Sequence, residues 1–175
     1  MLINVVIIVA AMLVVVGFTG LCTFNPGAPE QGPVQEVDAR SFLDLESRAV
    51  DFPVRYPEMP EGWTTNSARR GMIAGAPAPV IGWVTPGGGY LQLTQTGAPL
   101  DDAVRSLDPD PRQLSGTQEV GGAVASIYTS DSADVRDVWA VDTGDARLLV
   151  TGAATPEEFR ELVGAAVRTA PLTGA

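Results

Sequence analysis

The chain of 175 residues has no histidine, no lysine and a single cysteine, Cys22. Without histidine it lacks the commonest general base, the usual activator of a serine or cysteine nucleophile, and the usual transition-metal ligand. Without lysine, neither a P-loop nor a Schiff-base mechanism can operate. One cysteine cannot make a disulfide within the chain. Cys22 reads as one more small apolar residue, because a lipoprotein signal wants a small residue where Leu21 stands.

Charge is missing altogether from the first 24 residues, MLINVVIIVAAMLVVVGFTGLCTF. Roughly 20 apolar residues in a helix cross a hydrocarbon core about 30 Å thick, so Met1 to Phe24 is predicted to be a transmembrane helix. A cleaved signal peptide would have a basic start and a shorter apolar core. Glu30, Glu36 and Asp38 follow the run and no basic residue precedes it, which places the amino end inside and the bulk of the chain outside. The missing basic flank points to a start further upstream. The reading is a single-pass protein of the cell membrane with its carboxyl-terminal domain extracytoplasmic.

All 21 acidic residues and all 11 arginines lie beyond that run, and the net charge is −10. Such a surface repels nucleic-acid phosphates and anionic lipid headgroups, so neither is expected as a partner. Residues 25–37 hold NPGAPEQGPVQ, a Pro/Gly spacer. Residues 38–171 are then left for one domain.

Within that domain, Asp38 to Ala49 is predicted as a short helix with an Asp38 cap and an inner face of Phe42, Leu45 and Ala49. The segment 52–63, FPVRYPEMPEGW, carries three prolines and can be only a short edge strand leading into a turn. Alternating runs predict strands over Thr64–Ala74, Val80–Thr85, Tyr90–Thr96, Gln118–Val120, Val124–Thr129, Asp134–Val141 and Ala146–Thr151. Pro99 to Leu107 presents Leu100, Val104 and Leu107 on one face as a second helix. Thr155-Pro156-Glu157-Glu158 combines a Thr cap, Pro at the first helical position and Glu completing a capping box. Phe159, Leu162, Val163, Ala166 and Val167 follow as one apolar face. The sum is an α+β domain with an antiparallel sheet of about six to seven strands, covered by helices on one face.

No group of residues asks for a catalytic or metal-binding explanation. Gly87-Gly88-Gly89 lies between two strands, where a hairpin turn needs glycine, not before a helix as in a phosphate loop. Asp131, Asp134 and Asp137 miss the calcium-loop spacing. Glu157 and Glu158 belong to capping, Asp101 and Asp102 to a helix dipole. No cofactor is expected. The aromatic residues Trp63, Trp83, Tyr90 and Trp139 are candidates for a binding surface where any of them cluster beside polar groups. That depends on register. A two-residue hairpin loop aligns Val84 with Leu91 and puts Trp83 and Tyr90 on one face; a three-residue loop aligns Trp83 with Leu93 and puts them on opposite faces. The first is favoured.

FPVRYPEMPEGW, Asn66-Ser67, GWVTPGGGYLQLTQ (82–95) and LLVTGAATPEEF (148–159) resemble a family of actinobacterial single-pass membrane proteins catalogued as domain of unknown function 4245. The resemblance spans nearly the whole chain and brings no activity, cofactor or catalytic residue with it. Ala125 stands where it implies a tryptophan. By element order the domain is also similar to the extrinsic photosystem II P-subunit fold, which occurs in mycobacterial glycolipid-binding lipoproteins. The expected function is a membrane-anchored, non-catalytic binding or assembly module of the cell envelope, docking a protein or glycolipid. The alternative is a hydrolase of envelope glycans working with carboxylates alone.

Overall fold

The computed structural model describes residues 35–107 and 109–173, together with Val5, Val6, Ile8 and Met12, which are helical. By its contacts the chain divides after Pro33, and the fold that follows is that of Val34–Ala175. The predicted anchor Met1–Phe24, but for those four positions, lies outside the described residues, as do Cys22 and most of the 25–37 spacer. Among the described residues no helix is long and apolar enough to cross a membrane.

Seven strands form one antiparallel sheet: β1 Thr64–Ile73, β2 Ala76–Val84, β3 Tyr90–Thr96, β4 Gln113–Val120, β5 Ala123–Thr129, β6 Val138–Asp142 and β7 Arg147–Ala153. Their order across the sheet is β1-β2-β3-β7-β6-β5-β4, so two meanders join where β3 pairs with β7. Three helices complete the domain: α1 Ala39–Glu46, α2 Leu100–Leu107 and α3 Pro156–Arg168.

Alternation along the central strands splits their apolar residues between two faces. Ile81, Trp83, Leu91, Leu93, Trp139, Val141, Leu148 and Val150 pack against α1 and α3. Ile73, Ala78, Val138, Ala140 and Leu149 pack against Ala103 and Val104 of α2. Helices therefore lie on both faces, and the expectation of a single covered face is corrected. The cause is legible in β6, where VWAV is apolar at every position and asks for burial on both sides.

α1 begins at the Asp38 cap, whose carboxylate accepts from the Ser41 N–H at 3.0 Å; the Ser41 hydroxyl first and this N–H second hold the Asp38 pKa below the ordinary value. Its inner face is Ala39, Leu43 and Glu46, with Phe42 half-buried against the same core as expected, whereas Leu45 and Ala49 face outward: Leu43 is fully buried and Leu45 is 67% exposed. Glu46 tolerates the inner position because Arg70 of β1 grips both its oxygens, at 2.7 and 2.8 Å. A charge at a core-facing position is what misdirected the periodicity.

Two turns absent from the expected set are both made of positive-φ pairs, the hallmark of the tightest hairpins. Ala74-Gly75 joins β1 to β2, and Gly121-Gly122 joins β4 to β5. β2 thus starts at Ala76 and contains Pro77 and Pro79, which pair only with β1, where β2 has no ladder to β3. β4 runs from Gln113 because an exposed edge strand shows no apolar alternation to read. The segment 52–63 forms no strand. Its backbone is bonded instead by the Gln95 side chain, which accepts from Arg55 N–H and donates to Arg55 C=O, both at 2.7 Å.

α3 has the expected cap in full: Thr155 Oγ1 accepts from Glu158 N–H, and Glu158 accepts from Thr155 N–H at 2.9 Å. Glu158 also accepts from Gly87 N–H at 3.1 Å, tying the β2–β3 loop to the helix start. Partial burial works against its ionisation, but bonds from Thr85, Thr155 and Gly87 outweigh it and lower its pKa. A carboxyl whose pKa is lower folded than unfolded adds stability above its unfolded value, near 4.5, and loses it as pH falls through the folded value. Glu158→Ala is expected to cost about 1–2 kcal/mol at neutral pH. In thermal melts the gap to the native chain should narrow as pH falls below the ordinary value of 4.5; a gap that stays constant from neutral to acid would refute the link.

Candidate functional site

The register of β2 and β3 decides what the sheet displays. Val84 pairs with Tyr90, Trp83 with Leu91 and Gly82 with Gln92, so neither expected alignment holds. Thr85 and Gly89 close the hairpin around Pro86-Gly87-Gly88, with Thr85 N–H donating to Gly89 C=O at 3.0 Å. Gly88 takes the left-handed position, φ 77°, that a three-residue loop requires after Pro starts the turn. Trp83 and Tyr90 consequently lie on opposite faces, against the favoured reading.

The four aromatic candidates do not come together. Trp83, 1% exposed, and Trp139, 6% exposed, belong to the core under α1 and α3, where the Trp139 and Phe159 ring centroids are 5.5 Å apart. Trp63 packs half-buried against the same core, and its indole N–H donates to Glu161 at 3.2 Å. Tyr90 alone faces the other side.

On that second face α2 covers only part of the sheet, and across β1, β2 and β3 the remainder is polar. Ser67, Gly82, Gln92 and Thr151 make one cross-strand row. Tyr90, half-buried, lies over Gly82, where any Cβ would collide with its hydroxyl, and that hydroxyl is 3.1 Å from Ser67 Oγ. Arg69 donates to Gln92 Oε1 at 3.0 Å. Thr151 Oγ1 donates to Asp137 C=O at 2.7 Å and Arg112 Nε to Arg136 C=O at 2.8 Å, so the 130–137 loop and the start of β4 are drawn toward the sheet. Between them lies a cavity of about 320 Å³ lined by Tyr90, Gln92, Asp110, Arg112, Asp134 and Arg136, among others.

The chemistry of that wall is specific. It offers a phenol ring edge, an amide, guanidinium groups and carboxylates close together, which is a mixture of donors and acceptors suited to groups that do both. On the same face, burial and then the Asp101 carboxylate push the Tyr128 phenol pKa up. Of the wall only Tyr90 was a candidate from sequence. Ser67, Arg69, Gln92 and Thr151 alternate with core residues, and once register is known that alternation points to them.

The carboxylates whose pKa is displaced are moved down by bonds that serve the fold. Asp145 is lowered first by the Thr143 hydroxyl and, against partial burial, by the Arg55 guanidinium 3.0 Å from each of its oxygens. Glu157 is lowered by Arg160. Neither Asp145 nor Glu157 lines the Tyr90 cavity.

No curated protein and no solved structure matches the chain. Residues 1–166 match the model of the family described as "Protein of unknown function (DUF4245)", and the chain belongs to that family.

Proposed function

We propose that the chain is a membrane-anchored, extracytoplasmic binding module of the actinobacterial cell envelope, held through residues 1–24 and docking the glycan part of an envelope glycolipid on the open part of the second sheet face. The observation that carries the reading is the hydrogen-bonded set of Ser67, Tyr90, Arg69 and Gln92 laid across three strands beside an open polar cavity. Sugar hydroxyls both donate and accept, and such a wall meets both needs while the Tyr90 ring offers an apolar edge to a pyranose. The acidic surface suits a neutral glycan better than an anionic one. The proposal is of a non-catalytic role.

The test is binding of the full-length protein in neutral detergent to neutral glycans released from an actinobacterial envelope. Tyr90→Ala and Gln92→Ala are each expected to weaken binding by about tenfold or more, as losing one or two buried bonds would. Trp63→Ala, on the other face, should leave it unchanged. Absence of glycan binding, or binding indifferent to Tyr90, would sink this reading. Crosslinking in intact cells that captures a single protein at the same face would move it to assembly.

A further inference from the structure

A cavity of a different kind lies at the other end of β3 from Tyr90. About 590 Å³ in volume, it is enclosed by the segment that follows α1, the β1–β2 turn, the loop between β3 and α2, and the β6–β7 turn. Val50, Phe52, Pro77 and Ala98 are half-buried in its wall, and Ala74 and Ala76 complete the apolar lining. Three other cavities on the domain each carry an arginine beside a carboxylate. Among the described residues no arginine lines this one, and its charged groups are Asp51, Asp102 and Asp145.

The walls are set before any ligand arrives. Ala74 N–H donates to Ser106 Oγ at 3.1 Å, tying the β1–β2 turn to α2, and Ala98 N–H donates to Thr96 Oγ1 at 3.1 Å. Phe52 is seated over Gly97, where a Cβ would stand 3.0 Å from its ring. Those bonds also occupy two backbone donors that an extended peptide would otherwise pair with, so the cavity suits a compact ligand. Its volume falls in the range of small-molecule sites. Charge around the rim is uneven. Asp145 is held by Arg55 and Asp102 by Arg105, so each is largely neutralised. Asp51 is exposed and among the described residues has neither a hydrogen bond nor an ion pair. One uncompensated carboxylate beside an apolar wall is complementary to one positive charge on an apolar body.

We propose that this cavity binds a small apolar compound bearing a single ammonium group. The apolar body lies against Phe52, Pro77 and Ala98, out of water, and the ammonium pairs with the Asp51 carboxylate at the rim. The net charge of −10 favours the same sign, because it draws cations toward the domain at long range. A neutral compound of the same shape keeps the apolar contact and gains nothing from Asp51. The site is separate from the glycan wall and does not depend on it.

Full-length protein in neutral detergent, isotopically labelled at its alanine methyl groups, is titrated with phenethylammonium chloride and followed by NMR. Shifts of the Ala74, Ala76 and Ala98 methyl signals are expected, half complete at about 1–10 mM for so small a probe. Uncharged phenethyl alcohol should bind about three- to fivefold more weakly. Methylammonium, with the charge and no apolar body, should leave the signals in place. Asp51→Asn should weaken phenethylammonium binding about three- to fivefold and erase its advantage over the alcohol. Ala76→Phe, which fills the cavity from an exposed strand position, should abolish binding. Glu58→Gln, an equal loss of charge outside the cavity, should change nothing. No shift at these methyl groups, equal affinity for ammonium and alcohol, or indifference to Asp51→Asn would each overturn the proposal. So would binding that survives Ala76→Phe, or a loss in Glu58→Gln equal to that in Asp51→Asn. The near-ultraviolet circular dichroism of the three variants, all at exposed positions, confirms that the fold is intact.

Discussion

Gln95→Leu is expected to destabilise the domain by about 2–4 kcal/mol, although it exchanges a buried polar side chain for an apolar one of similar size. The reason is what Gln95 holds. It is completely buried, and its amide bonds both the N–H and the C=O of Arg55 at 2.7 Å, doing for segment 52–63 what a neighbouring strand would do. Pro53 and Pro57 on either side keep that segment out of a regular ladder, so no strand can take the amide's place. Leucine would leave a donor and an acceptor unpaired in the interior, each at a cost of about 1–3 kcal/mol. The Arg55 guanidinium depends on the same backbone anchor, and through it Asp145 and the β6–β7 turn. Urea unfolding measures the loss: the midpoint should fall while the slope stays constant. A shift under about 0.5 kcal/mol would mean that water or a moved backbone satisfies Arg55, and that Gln95 is not the structural surrogate for a strand.

Where the sequence was readable, local chemistry and burial agreed. α3 follows from Thr155, Pro156 and Glu158 with Phe159, Leu162, Val163 and Ala166 behind them, and the structure keeps every one of those roles. β3 was legible to the residue, because YLQLTQT alternates and both ends are turn-limited. Errors arose where one of the two signals was silent. β4 is exposed along nearly its whole length, so only its last residues carried a pattern. β2 was expected only from Val80, and its first residues, with prolines at 77 and 79, fall where it has a neighbour on one side only. In α1 a buried Glu46 and an exposed Leu45 shifted the inner face, and only the Arg70 partner, 24 residues away, explains why.

The candidate site was less legible than the fold, for a related reason. A binding wall on a sheet is defined by which residues share a face across strands, and that is a register question. The hairpin loop was ambiguous by one residue, and each slip moves a whole strand's side chains to the other face. Trp83, the most conspicuous aromatic of the pair, went to the core, while the modest Tyr90 took the open side.

Gly152→Ala is expected to be the most damaging single methyl group in the domain, at about 3 kcal/mol or more, from strain and collision together. Gly152 takes φ 149°, a conformation that L side chains rarely adopt, one residue from the end of β7, where it pairs with Leu91. A Cβ there would collide with the Tyr90 carbonyl oxygen and approach Leu91 Cα to 3.0 Å. Both are backbone atoms of β3, which is held on its other side by β2, so neither can move without disturbing two ladders at once. Gly144 separates the two contributions. It also has positive φ, 85°, but a Cβ there meets nothing within 4 Å. Gly144→Ala should therefore show the conformational cost alone, about 1 kcal/mol. If the two alanines cost the same, the collision with Tyr90 is relieved by relaxation and β3 is softer than its pairing implies. If Gly152→Ala costs several-fold more, strand spacing at Tyr90 is fixed rigidly, and the same variant should also weaken glycan binding, because the displaced carbonyl belongs to the residue whose ring forms the wall.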